Sequence, residues 1–76
     1  MMIDKIREII CDLVDIEPEE ITPDSRLLSD IGLSSLDVVM LSSEIEREFG
    51  VTITPRTFAM VKTVGGVIEH IEKEMK

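Results

Sequence analysis

The sequence predicts an all-α fold, a four-helix bundle with a long loop between helices 1 and 2 and a short third helix. Apolar residues recur at spacings of three and four in separate segments, as on the buried faces of amphipathic helices. Of the 76 residues 43% are hydrophobic, and nearly all of these are aliphatic. A chain this short buries only about 60% of its unfolded surface. We therefore expect one domain over residues 1–76 with a single thin core.

The first helix and the loop after it are predicted from an apolar stripe and from proline positions. The stripe covers about three turns before Pro18 and comprises Ile3, Ile6, Ile9, Ile10, Leu13 and Val14. A connection from Asp15 to about Ser34 follows, and a loop of this length is uncommon in a compact domain unless it is pinned or functional. The expected pins are Ile16, Ile21, Leu27, Leu28 and Ile31.

The second helix is predicted from signals at both of its ends. Ser34 and Asp37 have the spacing of a capping box, in which each side chain accepts a hydrogen bond from the backbone of the other residue. The helix should therefore begin near Leu36 and run to Phe49. Gly50 supplies the residue that follows the helix end.

Two further helices follow. Thr54 and Pro55 are typical of an N-cap and a first helical residue, so a short third helix should continue to about Met60. Thr63 caps a last helix, in which Gly65 and Gly66 weaken the first turn. The predicted apolar face of this last helix is Val64, Val67, Ile68, Ile71 and Met75.

The second helix is apolar on two faces. At about 100° per residue, the core stripe comprises Val38, Leu41, Ile45 and Phe49. Roughly opposite lie Leu36, Val39 and Met40, flanked by the acidic residues Asp37, Glu44 and Glu48. A helix that is buried on both sides within the monomer and a helix with an exposed docking patch both fit this pattern.

Composition excludes several classes of function. The net charge of −8 disfavours nucleic acid and anionic membrane surfaces as partners and favours basic protein surfaces. Cys11 has no second cysteine for a disulfide, and no cysteine or histidine cluster predicts a metal site. No apolar run is long enough to span a membrane. We expect a cytoplasmic, monomeric protein without catalytic residues of its own.

Ser35 lies at the predicted start of the second helix, beside the outer apolar patch. A serine at this position is most often only a cap. The first amides of a helix are, however, unpaired donors at the positive end of the helix dipole. A phosphate ester on Ser35 would therefore be stabilised where it forms.

Residues 30–37, Asp-Ile-Gly-Leu-Ser-Ser-Leu-Asp, precede a helix that ends in Glu-Arg-Glu-Phe-Gly. This region resembles the attachment region of the acyl carrier protein family, whose usual form is Asp-Leu-Gly-x-Asp-Ser-Leu-Asp. The similar layout extends over nearly the whole chain. The resemblance implies that a phosphopantetheinyl transferase attaches 4′-phosphopantetheine from coenzyme A to Ser35. The terminal thiol of this arm would then hold acyl groups as thioesters.

The resemblance also implies a docking surface. Basic patches on acyl-transferring and synthase enzymes would meet Leu36, Asp37, Val39, Met40, Glu44 and Glu48. The resemblance implies a carrier in fatty-acid, polyketide or related lipid synthesis, and from a discrete chain with its own methionine start we expect a stand-alone carrier of a dissociated system. Shelter for an acyl chain would need a dynamic interior or a surface groove. Its aliphatic lining would be Leu41, Ile45, Val61 and Ile68, which are equally well explained as ordinary core.

The chain departs from the family pattern in a few positions. Ser34 replaces the usual aspartate before the modified serine and keeps a side-chain cap. Met40 stands where fatty-acid carriers usually have glutamate, and Arg56 and Lys62 lie in a region that is mostly acidic in those carriers. These departures bear on which enzymes the carrier serves, housekeeping or specialised, more than on whether it is a carrier.

Two alternatives stay open at this point. An aminoacyl or peptidyl carrier would keep the fold and change the cargo. An unmodified acidic helical module would use the patch at Leu36, Val39 and Met40 only for recognition of a partner.

Overall fold

The computed structural model describes residues 1–75, which form four α-helices. Helix α1 spans Met2–Leu13, α2 spans Ser35–Phe49, α3 spans Pro55–Val61 and α4 spans Val64–Glu74. The all-α fold with a long first loop and a short third helix is confirmed. Helix α2 begins one residue earlier than predicted, and α3 ends one residue later. A 3₁₀ turn, Pro18–Glu20, interrupts the first loop.

The core lies where α1, α2 and α4 pack together, with α3 covering one end between α2 and α4. It is aliphatic except for Phe58, as the composition predicts. Its most deeply buried side chains are Ile6, Ile10, Ile21, Leu41, Ile45, Ile53, Val64, Val67 and Ile71. Four predicted pins of the loop, Ile16, Ile21, Leu27 and Ile31, belong to this core or pack against it.

Two predicted core positions are wrong, and a third, Phe49, packs against the core but is less buried than expected. Leu28 is 63% exposed, because Leu27 takes the inward position of this turn. Met75 is 55% exposed, because α4 ends at Glu74 and its last side chain extends past the core. Phe49 is only half-buried at the carboxyl end of α2, and the fully buried phenylalanine is Phe58.

The first loop is hydrogen-bonded to the junction between α3 and α4. Leu27 donates its backbone N–H to the carbonyl oxygen of Lys62 at 2.9 Å, and Gly65 donates to the carbonyl oxygen of Pro23 at 2.8 Å. A Cβ atom on Gly65 would lie 2.9 Å from that Pro23 oxygen. Glycine is therefore needed here for close approach of the two chain segments, whatever it costs the helix.

The residue that joins α3 to α4 adopts an unusual backbone conformation. Lys62 has φ +60°, a value that is uncommon for residues other than glycine, asparagine and aspartate. Two hydrogen bonds hold it there, one from its own N–H to the carbonyl oxygen of Phe58 and one from Leu27 to its carbonyl oxygen. The clamp between the loop and this junction thus fixes the position of Lys62.

Candidate functional site

Ser35 is the first residue of α2, and its side chain is exposed. Within the described residues, the backbone N–H groups of Ser35 and Leu36 donate no hydrogen bond. They lie at the positive end of a helix of 15 residues, which favours an anionic group. Ser35 thus combines a free hydroxyl with two available amide donors.

The neighbouring serine performs the capping role. The Oγ atom of Ser34 accepts a hydrogen bond from the backbone N–H of Asp37 at 3.2 Å. The carboxylate of Asp37 accepts one from the N–H of Ser34 at 2.9 Å. The predicted capping box is confirmed. It does not involve the hydroxyl of Ser35.

The outer apolar face of α2 is exposed. Leu36 is 67%, Val39 50% and Met40 46% exposed, whereas Leu41 and Ile45 on the opposite side are fully buried. The alternative of a helix buried on both sides within the monomer is therefore wrong. The exposed face lies beside Ser35 on the first two turns of the helix.

The acidic residues that border this face are engaged by neighbours. Glu44 forms an ion pair with Arg47 at 2.5 Å, and Glu48 lies 3.9 Å from the ammonium group of Lys5. Asp37 contributes its carboxylate to the capping box. The border is thus less negative toward a partner than three free carboxylates would be.

A groove of about 650 Å³ lies between α2, α3 and the first loop, with Ser35 on its lining. This volume falls within the usual range of roughly 300–1,000 Å³ for small-molecule sites. Its apolar wall includes Leu27, Val38 and Phe58. The four residues predicted to shelter an acyl chain do not line this groove: Leu41 and Ile45 lie wholly in the core, and Val61 and Ile68 pack against it.

Three buried residues of this region were missed by sequence reasoning. Leu33, Val51 and Ile53 belong to the core although they lie outside the helices. Ile53 also supplies the carbonyl oxygen that accepts a hydrogen bond from the hydroxyl of Ser42 at 2.6 Å. Their spacing carries no helical period, so only the apolar identity of these loop residues could have indicated them.

The groove and the exposed serine fit a phosphate-linked flexible arm, and comparison with known proteins agrees. The protein-family description "Phosphopantetheine attachment site" matches residues 4–71. The chain is 39% identical over 71 residues to the acyl carrier protein of Amoebophilus asiaticus (strain 5a2), covering 93% of this chain and 89% of that protein. The chain belongs to the acyl carrier protein family. It is a carrier of acyl groups rather than an enzyme, and its cofactor is 4′-phosphopantetheine.

Membership of this family bears on the alternatives. A phosphopantetheine attachment domain argues against the unmodified interaction module. A carrier must also meet the transferase and synthase enzymes that load and unload it. No helix within residues 1–75 is long and apolar enough to cross a membrane.

The remaining chemical groups form no second site. Within residues 1–75 no cluster of histidine, cysteine or acidic side chains suits a metal ion. Burial raises the pKa of the Cys11 thiol, and the nearby acids Asp12, Glu17 and Glu19 raise it further. The thiol lies 3.4 Å from the carbonyl oxygen of Ile16, to which it donates a hydrogen bond. Cys11 is a half-buried free cysteine at the boundary of the core.

Proposed function

We propose that Ser35 is the residue that carries the 4′-phosphopantetheine arm. The observation that supports it most is that the two serines at the start of α2 differ in their hydrogen bonding. Ser34 is committed to the capping box, and Ser35 offers a free hydroxyl beside two available amide donors. The arm supplies a terminal thiol on which acyl groups are held as thioesters.

The residues around Ser35 suit this attachment. The Ser35 oxygen forms a bond to the phosphorus that bears pantetheine in coenzyme A, and the pyrophosphate bond of coenzyme A breaks. The adenosine bisphosphate part leaves, and the hydroxyl proton passes to the transferase. The N–H groups of Ser35 and Leu36 stabilise the negative charge of the resulting phosphodiester.

The docking surface in this proposal is the outer face of α2. Leu36, Val39 and Met40 provide exposed apolar contact area next to Ser35. The border acids Asp37, Glu44 and Glu48 surround it with negative charge that suits basic patches on a phosphopantetheinyl transferase and on synthase enzymes. Docking there brings Ser35 close to the active site of a partner.

We also propose a setting for the carrier. Residues 1–76 act as one acyl carrier domain, monomeric and cytoplasmic, in fatty-acid, polyketide or related lipid synthesis. The match to an acyl carrier protein supports this cargo class over aminoacyl or peptidyl groups. The mass of the group found on the arm of protein isolated from its own cells decides between these cargoes.

The attachment residue is tested by intact mass spectrometry after incubation with coenzyme A and a phosphopantetheinyl transferase. The unaltered protein should gain one arm, and Ser35→Ala should gain none. Ser34→Ala is the matched control, because it removes the adjacent hydroxyl and should still be modified. Attachment of an arm to Ser35→Ala would refute the assignment.

A further inference from the structure

The groove beside Ser35 has an unexpected charge. Two of the residues on its lining are cations, Arg26 and Lys62, and none is acidic. The chain as a whole carries 16 acids against 8 bases. A groove with two cations and no carboxylate therefore departs from the rest of the molecule.

These two cations have no charged partner in the protein. Within residues 1–75 neither Arg26 nor Lys62 forms an ion pair, whereas Lys5, Arg7 and Arg47 each do. The closest carboxylate along the loop, that of Asp30, accepts a hydrogen bond from the backbone N–H of Arg26 at 2.8 Å. It forms no ion pair with the guanidinium group.

The fold brings the backbone at Arg26 close to the backbone at Lys62, and both residues line the same groove. Arg26 pairs with Thr63 in an isolated antiparallel bridge. The next residue, Leu27, donates its N–H to the carbonyl oxygen of Lys62. The backbone at Lys62 is held at φ +60° by this clamp, and non-glycine residues with such φ values are enriched at functional sites.

The rest of the groove is apolar. Val38 and Phe58 contribute to its wall, and Leu28 and Val39 are exposed on its lining. A ligand that matches this surface has a short hydrocarbon part and a negatively charged end. Arg26 and Lys62 are exposed, so a purely hydrocarbon chain would contact the apolar wall and make no use of their charge.

We propose that the groove binds an acyl group that ends in a carboxylate, carried on the arm of the same molecule, with Arg26 and Lys62 facing the carboxylate. The inference rests on the proposed attachment to Ser35, which lies on the same groove. It adds a substrate class to the carrier role: dicarboxylic acyl groups rather than plain fatty acyl groups.

Thioester protection tests this proposal. The carrier is loaded by a phosphopantetheinyl transferase from adipoyl coenzyme A or hexanoyl coenzyme A, which differ only in the terminal carboxylate. Hydroxylamine, a small uncharged nucleophile, then cleaves each thioester, and mass spectrometry follows the loss of the acyl group. Each rate is divided by the rate for the corresponding free coenzyme A thioester.

The adipoyl thioester should react roughly threefold or more slowly than the hexanoyl thioester after this correction, because two charge pairs hold it in the groove. The double variant Arg26→Gln/Lys62→Gln should remove the difference. The matched control Lys5→Gln/Lys73→Gln loses the same two charges outside the groove and should keep it. Equal protection of both acyl groups, or better protection of hexanoyl, would overturn the proposal.

The phosphodiester of the arm is the other anion within reach, and the carrier with an unacylated arm distinguishes it. In this form the amide chemical shifts of Ser35 and Leu36, the proposed neighbours of the phosphodiester, should change little between the unaltered groove and the double glutamine variant. A change as large as that in the adipoyl form would show that Arg26 and Lys62 pair with the phosphodiester of the arm, and would overturn the carboxylate proposal. Failure of the arm to attach at all would appear in the mass spectrum and overturn the proposed function with it.

Discussion

The two apolar faces of α2 differ in what covers them. Leu41 and Ile45 on the inner face are fully buried against α1 and the core. Leu36, Val39 and Met40 on the outer face are half to two-thirds exposed. Apolar side chains on the same helix therefore have different roles, because the inner face packs in the core and the outer face is exposed.

The comparison indicates that the outer face contributes much less to stability than the inner face. An exposed apolar side chain contributes little to the free energy of unfolding, whereas a buried one contributes through both hydrophobic transfer and packing. Three exposed apolar residues beside an attachment serine are instead suited to a partner enzyme. Substitutions on the inner face should therefore lower stability, whereas substitutions on the outer face should slow modification by a partner enzyme.

The largest effect is expected from the inner face. Ile45→Ala should lower the free energy of unfolding by about 2–5 kcal/mol, because it creates a cavity at a fully buried position. Urea denaturation measures this change. Val39→Ala, the outer-face control, should change it by about 0.5 kcal/mol or less. Equal losses in the two variants would show that the faces do not differ.

A smaller effect is expected at the start of the helix, where both faces begin. Ser34→Ala removes the hydroxyl that accepts from Asp37 and should cost about 0.5–2 kcal/mol of stability. Ser35→Ala should leave the melting temperature almost unchanged, since that hydroxyl makes no hydrogen bond to the described residues. A greater loss in Ser35→Ala would reverse the assigned roles.

The outer face should respond in function rather than stability. Leu36→Ala and Met40→Ala should each keep the melting temperature of the unaltered protein while slowing arm attachment by the transferase. Met60→Ala, which truncates an exposed methionine on α3, is the control and should be modified at the normal rate. If Met40→Ala melted as low as Ile45→Ala, Met40 would belong to the core.

The helices and the capping box were predictable from sequence because they depend on local spacing. Ser34, Asp37, Gly50 and Thr54 act on neighbours within four residues, and such signals need no knowledge of the fold. The structure confirms each of these caps, including Gly50 at φ +70°.

The loop and the groove were not predictable in the same way. Leu27 and Leu28 are identical side chains at adjacent positions, yet one is buried and the other exposed, because the turn is fixed by contacts with Lys62. The burial of Phe58 rather than Phe49 likewise depends on how α3 covers the end of the bundle. Such outcomes depend on tertiary contacts rather than on local spacing.

The smallest effect is expected from the charged border of the outer face. Glu44 and Glu48 already pair with Arg47 and Lys5, which offsets part of the negative charge that attracts a basic partner. Raising the salt concentration from about 0.05 to 0.5 M should therefore slow transferase modification only modestly, by screening the remaining attraction. Rates that fell steeply would show that these acids are free to dock.

The separation of the two faces is tested most directly by methyl NMR of the carrier titrated with a phosphopantetheinyl transferase. The methyl signals of Leu36, Val39 and Met40 should shift or broaden as the complex forms, and those of Leu41 and Ile45 should stay nearly unchanged. Perturbations concentrated instead on α1 or α4, with the outer face of α2 unaffected, would contradict the assignment of this face as the docking surface.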